Sequence, residues 1–474
     1  MAPSLPLIAA TAPMWMVSAA HKSSGKTTLS IGLAAAMARR GLRVQTFKKG
    51  PDYIDPMWLA RASGRDCINL DPYLMAEADI HRSVLERMGG ADVGFVEGNK
   101  GLYDGLSLDG SNSNAALAKM LELPVVLVID ARGMTRGIAP LLLGYQAFDR
   151  EVRFAGVILN QLGGSRHEAK LRAVIEHYTD VPVIGAIQDD PRLHLDERHL
   201  GLMPANETHA AERQVTEIGR AVAEQVELDC LLEIARTSVA LPRPAPRLVS
   251  SEAPVRIAIA QDAAFGFYYA DDIDALRLAG AEIVPFDTLR DPRLPDCDGL
   301  FIGGGFPESF LDALEANATM RASILDAIEA GLPTYAECGG LMYLARGIEW
   351  RGQRRRMVGA IAGDVIMRDR PVGRGYVELQ TTAAHPWKDG GEAAMIRAHE
   401  FHYSAIENLP ADTAFAYRMK RGHGIDGRHD GIVYKNLLAS YTHLRATGSC
   451  DWPAHFVGFV RRALPHLQSQ RHSR

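Results

Sequence analysis

An apolar run over residues 14–19 passes directly into Ser18-Ala-Ala-His-Lys-Ser-Ser-Gly-Lys-Thr-Thr28, and the chain then opens into an Ala- and Leu-rich helical stretch. A Gly-Lys-Thr between a strand and a helix is the arrangement in which backbone N–H groups at a helix N-terminus cradle phosphates. In that setting Lys26 neutralises the β/γ oxygens and Thr27 offers its hydroxyl to Mg²⁺, while Ser24, Gly25 and Thr28 complete a nucleotide-binding turn. The loop departs from the usual G-x4-G-K-[ST] at its leading position, which is Ala20. The shape of its first turn is therefore open.

The same strand–helix alternation continues. The spacing predicts strands at 43–47, 93–97, 125–129, 156–159 and 183–186, each ending in a polar or glycine-rich loop. That is the pattern of a parallel sheet covered on both faces, with ligands at the carboxyl ends of the strands. Residues 236–254 include LPRPAPRLVSSEAP, a proline- and serine-rich stretch that reads as a linker. Beyond it, strands are expected at 256–260, 283–286, 299–302 and 333–336. The expectation is an α/β chain of two domains, 1–235 and 255–474, since 474 residues exceed what one hydrophobic core supports.

Composition limits the partners. A formal net charge of -5 gives no electrostatic reason to expect nucleic acid or an anionic membrane. Five cysteines without a CxxC pair argue against a disulfide framework or zinc site and for a reducing, cytoplasmic compartment. The apolar segment 5–17 is short and lacks a basic region before it, so it reads as a first strand with a leader.

Glu97 ends a predicted strand beside the phosphate loop, a position from which Mg²⁺ on bound phosphates can be reached. Asp52 and Asp55 follow another strand in KKGPDYID. Acidic groups around a basic phosphate loop suit phosphorylation of a carboxylate, where metal and lysines must offset the repulsion of two anions. Read singly, each acid is equally a helix cap or a surface turn.

In the second half, Pro333-Thr-Tyr-Ala-Glu-Cys-Gly-Gly-Leu-Met342 places Cys338 between an apolar strand and a helix. Gly339 permits a tight turn that exposes a nucleophile, and the helix N-terminus is expected to lower the thiol pKa. Gly304 and Gly305, in GGGFPE, together with Gly339 are candidates for an oxyanion hole. His443, ending LASYTH, is the candidate general base. His399 and His402 stand as H-x-x-H, but the absence of further ligands favours structural hydrogen bonding or substrate contact over a metal.

Taken in order, SSGKTT, FKKGPDYIDP, NLDPYL, VEGNKGLYDG, AALAKMLELPVVLVIDARG, ERHLGLMP, FGFYY, GGGFPE, AECGGLMYLA, HEFHY and LASYTHL resemble the cobyrinic acid a,c-diamide synthases along nearly the whole chain. The resemblance implies a dethiobiotin-synthetase-type P-loop domain followed by a class I, triad-type glutamine amidotransferase domain. It implies that ATP phosphorylates the c and a acetate groups of a corrin-type tetrapyrrole, and that ammonia from L-glutamine displaces the phosphate. Lys26 and Thr27 then serve nucleotide and magnesium, and Asp52 and Glu97 serve metal and phosphate chemistry. Asp104 lies beside the substrate, and Tyr53 and Ile54 sit in a loop touching the macrocycle. Cys338 is the glutaminase nucleophile and His443 its base.

Two departures stand out. The glutamate expected two residues after the histidine is Arg445, so the group that orients His443 is undetermined. A glutaminase half retained only for binding would be one consequence. The usual EGVMGLYDG is EGNKGLYDG here, which adds Lys100 as a possible contact to a different macrocycle. Siroheme or sirohydrochlorin acetates are thus an alternative substrate, and a P-loop ATPase switch of the partitioning type is an alternative of another class. The oligomeric state, a homodimer included, is open.

Overall fold

The computed structural model describes residues 13–195, 197–198, 201–207, 210–238, 250, 252–387 and 394–471. The leader before residue 13 and most of the expected linker, 239–249 and 251, lie outside them. The chain forms two compact units, Met1–Pro246 and Arg247–Arg474.

In the first unit strands and helices alternate as β1 (Met14–Ala19), α1 (Lys26–Arg39), β2 (Val44–Lys49), α2 (Ile54–Ser63), β3 (Ile68–Leu70), α3 (Glu77–Met88) and β4 (Val93–Glu97). They continue as α4 (Asn114–Met120), β5 (Val125–Asp130), α5 (Ile138–Phe148), β6 (Phe154–Leu162), α6 (Ser165–Tyr178) and β7 (Val183–Gln188). The strands form one parallel sheet in the order β3-β2-β4-β1-β5-β6-β7. Every residue of β1, β2 and β4 is buried, as a parallel sheet covered on both faces requires. The carboxyl ends of β1, β2 and β4 bring the phosphate loop, the KKGPDYID segment and Glu97 to one edge.

In the second unit the central strands Ala281–Phe286, Val255–Ala260, Gly299–Ile302, Thr334–Glu337 and Leu437–Ser440 run parallel. The sheet then continues through His429–Tyr434, Ala414–Arg421, Gly373–Thr381 and Met395–His402, all antiparallel. The sequence reading found only strands of the parallel part. The antiparallel strands escaped it because they alternate buried and exposed residues, as in GRGYVELQT, and carry no continuous apolar run. Thr334–Glu337 lies in the middle of this sheet, so Cys338, which follows it, sits at the centre of the carboxyl edge. Among the described residues no helix is long and apolar enough to cross a membrane.

Candidate active sites

The phosphate loop resolves the question raised by Ala20. Left-handed backbone falls on Ser23 (φ 61°) and Gly25 (φ 82°), not on Ala20, so the first turn has no need of glycine there. Tyr145 Oη donates to the Ala20 carbonyl at 2.5 Å, and Ser24 Oγ donates to the His21 carbonyl at 2.8 Å. Gly25 is needed on two counts: its φ, and a Cβ that would stand 2.2 Å from Asn160 Nδ2. That amide donates to the Ser24 carbonyl at 2.9 Å. A cavity of about 320 Å³ runs from Ser23–Leu29 past Asn160 and Gln161 to Ile187, Gln188 and Leu202. Asn160, Gln161, Ile187 and Gln188 were missed in the sequence because no motif marks them, and Leu202, inside ERHLGLMP, was not singled out there.

Beside the loop a charge cluster is assembled from three strand ends. Thr27 Oγ1 donates to Glu97 Oε1 at 2.7 Å and to Asp55 Oδ2 at 3.2 Å. Lys48 Nζ lies 2.5 Å from Asp55, 2.9 Å from Glu97 and 3.9 Å from Asp52. Asp55 was expected here as one of the acidic groups around the loop, whereas Lys48 was not among the sequence-derived site residues. Only the fold shows that Lys48 faces the loop, since alternate strand positions point to opposite faces. Asp52 Oδ1 accepts from the backbone N–H of Ile54 (3.0 Å) and Asp55 (3.1 Å), so it caps α2 and leaves its other oxygen towards Lys48. Asn69 Nδ2 donates to the carbonyls of Gly50 and Asp52 and fixes this loop.

The charges of this cluster do not balance one another. Burial, reinforced by Asp55, pushes the Asp52 carboxyl up to about 7. Burial also raises Glu97, with Lys48 opposing. For Lys48 burial works against the charge, but Asp55, Glu97 and Asp52 outweigh it and hold the ammonium well above its ordinary value. Burial lowers Lys26 to about 8. Glu97 Oε2 is buried without a hydrogen-bond partner among the described residues.

Tyr53 and Ile54, both half-buried, start α2 next to Asp52. Asp104 is exposed and accepts from the Gly101 N–H at 2.8 Å, closing the loop after β4. Lys100 is exposed in that loop with a left-handed backbone (φ 53°). Asn114 ties the loop to β1 through Ser18 Oγ (3.1 Å) and the carbonyls of Asn99 and Gly101.

In the second unit Cys338 occupies the turn after Thr334–Glu337 with φ 47° and ψ -99°, a conformation that side-chain-bearing residues rarely hold. Its N–H donates to the Ser440 carbonyl at 2.7 Å, pinning the turn to the neighbouring strand. The glycines of the two motifs close around it. A Cβ on Gly339 would lie 2.9 Å from Gly305 N, and one on Gly304 would lie 2.7 Å from His443 Cε1. Cys338, Gly339, Gly304, Gly305 and His443 are thereby gathered in one place.

The expectation of a lowered thiol pKa is corrected. Burial first, then Glu308 and Glu337, push the Cys338 thiol upward, and the helix that follows is one of only six residues. The resting group is the neutral thiol, 8% exposed, with Sγ 3.9 Å from the Phe401 carbonyl.

Glu337, one residue before the nucleophile, was also missed. Its Oε2 lies 3.2 Å from His443 Nδ1, and its Oε1 accepts from Tyr335 Oη (2.5 Å) and the Leu444 N–H (3.0 Å). The His443 backbone N–H donates to the His399 carbonyl at 2.8 Å, and the two rings stack with centroids 4.9 Å apart. Burial, then His443 and Arg445, keep His399 well below the ordinary histidine value, hence neutral. His402 leaves this cluster, bonding the Ser404 carbonyl and stacking on Tyr441, so the H-x-x-H pair does not converge. Arg445 turns away from His443: it is buried in a two-pronged pair with Asp271 (2.5 and 2.6 Å) and lies over the Tyr269 ring.

Two family models match these halves. Residues 16–202 match the CobQ/CobB/MinD/ParA nucleotide binding domain, and residues 256–449 match the CobB/CobQ-like glutamine amidotransferase domain. A cobyrinate a,c-diamide synthase of Magnetococcus marinus is 44% identical, over 95% of this chain and 97% of its own length. One of Methanosarcina acetivorans is 45% identical, over 92% of this chain and 93% of its own. One of Listeria monocytogenes is 38% identical, over 94% and 99%. With identity at this level spanning both halves, the chain belongs to the cobyrinate a,c-diamide synthase family.

Proposed function

We propose that this protein uses ATP and glutamine to amidate the a and c acetate carboxylates of cobyrinate. The observation that carries the reading is the Thr27–Glu97–Lys48–Asp55 cluster at a phosphate loop, in the same chain as a Cys338–His443 pair oriented by Glu337. A nucleotide switch of the partitioning type needs the first and has no use for the second. Relatives named for cobyrinate favour that macrocycle over siroheme, for which Lys100 is the one sequence argument.

In the glutaminase half, Glu337 holds His443 by Nδ1 and leaves Nε2 to take the Cys338 proton. The sulfur attacks the glutamine carboxamide carbon, the backbone N–H groups around Gly304, Gly305 and Gly339 face the oxyanion, and His443 returns the proton to departing ammonia. Water then hydrolyses the thioester to glutamate. Because the resting thiol is neutral, proton transfer to His443 accompanies attack.

In the synthetase half a carboxylate oxygen of the macrocycle attacks the γ-phosphorus of ATP and ADP leaves. Ammonia then attacks the acyl phosphate carbon and phosphate leaves. Lys26 meets the phosphates, and Lys48 holds Asp55 and Glu97 in register.

The residues present fit a magnesium ion. Thr27 supplies a hydroxyl, and Glu97 supplies a carboxylate with an unpartnered buried oxygen, with Asp52 or Asp55 beside it. Among the described residues no three His, Cys, Asp or Glu side chains form a self-sufficient cage. Mg²⁺ is usually held by one or two carboxylates plus phosphate oxygens and water. Bound there, it would offset the charge developing on the transferring phosphoryl group.

The test is a substrate panel of cobyrinate, hydrogenobyrinate, sirohydrochlorin and siroheme with ATP, Mg²⁺ and glutamine, read by mass spectrometry for exchange of OH for NH₂. Two exchanges on cobyrinate are expected. Amidation of siroheme alone would replace the macrocycle, and absence of any amide would end the reading.

A further inference from the structure

We propose that Lys49, flanked by Lys100, anchors a carboxylate of the macrocycle other than the one being phosphorylated; this rests on the function proposed above. β2 ends in two consecutive lysines, whose side chains leave opposite faces of the strand. Lys48 is fully compensated by Asp55, Glu97 and Asp52. Lys49 is only 5% exposed, and among the described residues its ammonium makes no hydrogen bond or ion pair.

The charges that reach it are Asp71, favourably, and Lys100 and Lys48, unfavourably. Among the described residues Lys49 forms no ion pair with Asp71, whose Oδ1 accepts from the N–H groups of Tyr73 (2.9 Å) and Leu74 (3.4 Å). Burying an ammonium without a counter-charge in contact with it is costly. Such a group is retained where a ligand supplies the missing anion.

The molecule holds an internal reference. Lys26 is likewise buried, at 7% exposure, makes no hydrogen bond or ion pair among the described residues, and stands at the phosphate loop. Two buried lysines that make no hydrogen bond or ion pair among the described residues therefore mark two anion positions in this unit. They are not the same position. The cavity at Lys26 extends towards Asn160 and Ile187, on β6 and β7, and is not lined by Lys49. In the sheet β2 lies on the opposite side of β1, beyond β4. The nucleotide therefore fills the β6–β7 side, and the anion facing Lys49 belongs to the acceptor.

An acceptor that places one carboxylate at Glu97 and another at Lys49 must carry several, as a tetrapyrrole acid does. Lys100, exposed on the loop after β4, adds a second cation to that face. The pair thus selects polycarboxylate acceptors and fixes which acetate reaches the phosphate.

The experiment uses the full chain with ATP, Mg²⁺, cobyrinate and ammonium chloride as nitrogen source. Lys49→Met is expected to raise the cobyrinate KM about tenfold or more, as loss of a charge-assisted hydrogen bond does. The ATP KM and the glutaminase rate should stay within about twofold. Lys100→Met should raise the same KM by a smaller factor. In the wild type, cobyrinate but not ATP should protect Lys49 from an amine-acylating reagent, a readout that needs no variant to fold. A cobyrinate KM unchanged in Lys49→Met, an equal rise in the ATP KM, or no protection by cobyrinate would each overturn the inference. A wild type that amidates no tetrapyrrole would bring down the underlying reading, whereas a wild type that does so with Lys49 unprotected sinks only this one.

Discussion

The two sites solve opposite electrostatic problems. The synthetase site is built of charges that do not balance by themselves: Asp52 and Glu97 are raised, Lys26 is lowered, and Glu97 Oε2 has no hydrogen-bond partner among the described residues. The glutaminase site keeps its nucleophile neutral and has its proton acceptor already fixed, with Glu337 on His443 Nδ1 and His399 neutral beside it. The first is completed by its ligands. The second is nearly complete without them, because glutamine brings no charge to the reacting carbon. Substitutions should therefore separate the halves by nitrogen source.

The sharpest separation comes from Cys338→Ala. Glutamine-dependent amidation should fall by roughly 10⁴-fold or more, as removal of a nucleophile does, while amidation with ammonium chloride persists. A loss with both nitrogen sources would contradict two independent chemistries. Iodoacetamide labelling of Cys338 in the free protein should keep rising with pH through the neutral range, with no plateau there, because burial and Glu308 hold the thiol up.

Glu337→Gln comes next. It leaves the shape intact but can turn the ring to the wrong tautomer, an effect on the order of 10²–10⁴ in a comparable triad. Glutaminase kcat should fall by that order with a shifted pH profile, while the glutamine KM and ammonia-dependent amidation barely move. Unchanged turnover would return the orienting role to some other group. Arg445 is the poorer choice, since its guanidinium is committed to Asp271.

Glu97→Gln should act in the reverse sense. Amidation from either nitrogen source should fall roughly 10²–10³-fold, the scale of one lost electrostatic contact in a transition state. Glutamine hydrolysis measured alone should remain. Equal loss of glutaminase activity would mean that the sites are not separable.

What could be read in the sequence follows from the range of the signals. The α/β class and the strand ends were legible because buried parallel strands are continuous apolar runs next to glycine-rich turns, as at residues 14–19 and 333–340. Thr27 opens the helix after such a run, Glu97 ends one, and Cys338 and His443 closely follow one, so their nearness to partners could be anticipated. Lys48 and Glu337 could not be singled out. Lys48 lies one position inside its strand and Glu337 is the last residue of its own, and which partner each one meets depends on strand pairing that is not local. Arg445 looked like a defect in a triad because its partner, Asp271, is 174 positions away. Asn160 carries no motif at all and is brought to Gly25 only by the sheet order.

The smallest effect probes the imbalance of the synthetase site directly. Asp52 titrates near 7 in the fold, against about 3.9 in an unfolded chain. Between those values the folded state holds more protons than the unfolded one, so this group's contribution to stability falls as pH rises through the window. Asn at this position keeps an oxygen for the N–H groups of Ile54 and Asp55 and has no charge to bury. Asp52→Asn should therefore gain melting temperature relative to wild type on going from pH 5 to pH 8, by about 2–4 °C for each kcal/mol involved. The Asp52 side chain is 27% exposed, which keeps the gain to a fraction of the full titration effect. ATP with Mg²⁺ should shrink the difference, because the metal ion supplies positive charge beside Asp52. A gain of the same size at both pH values would show that Asp52 is already ionised at pH 5, and that the cluster balances its charges without its ligands.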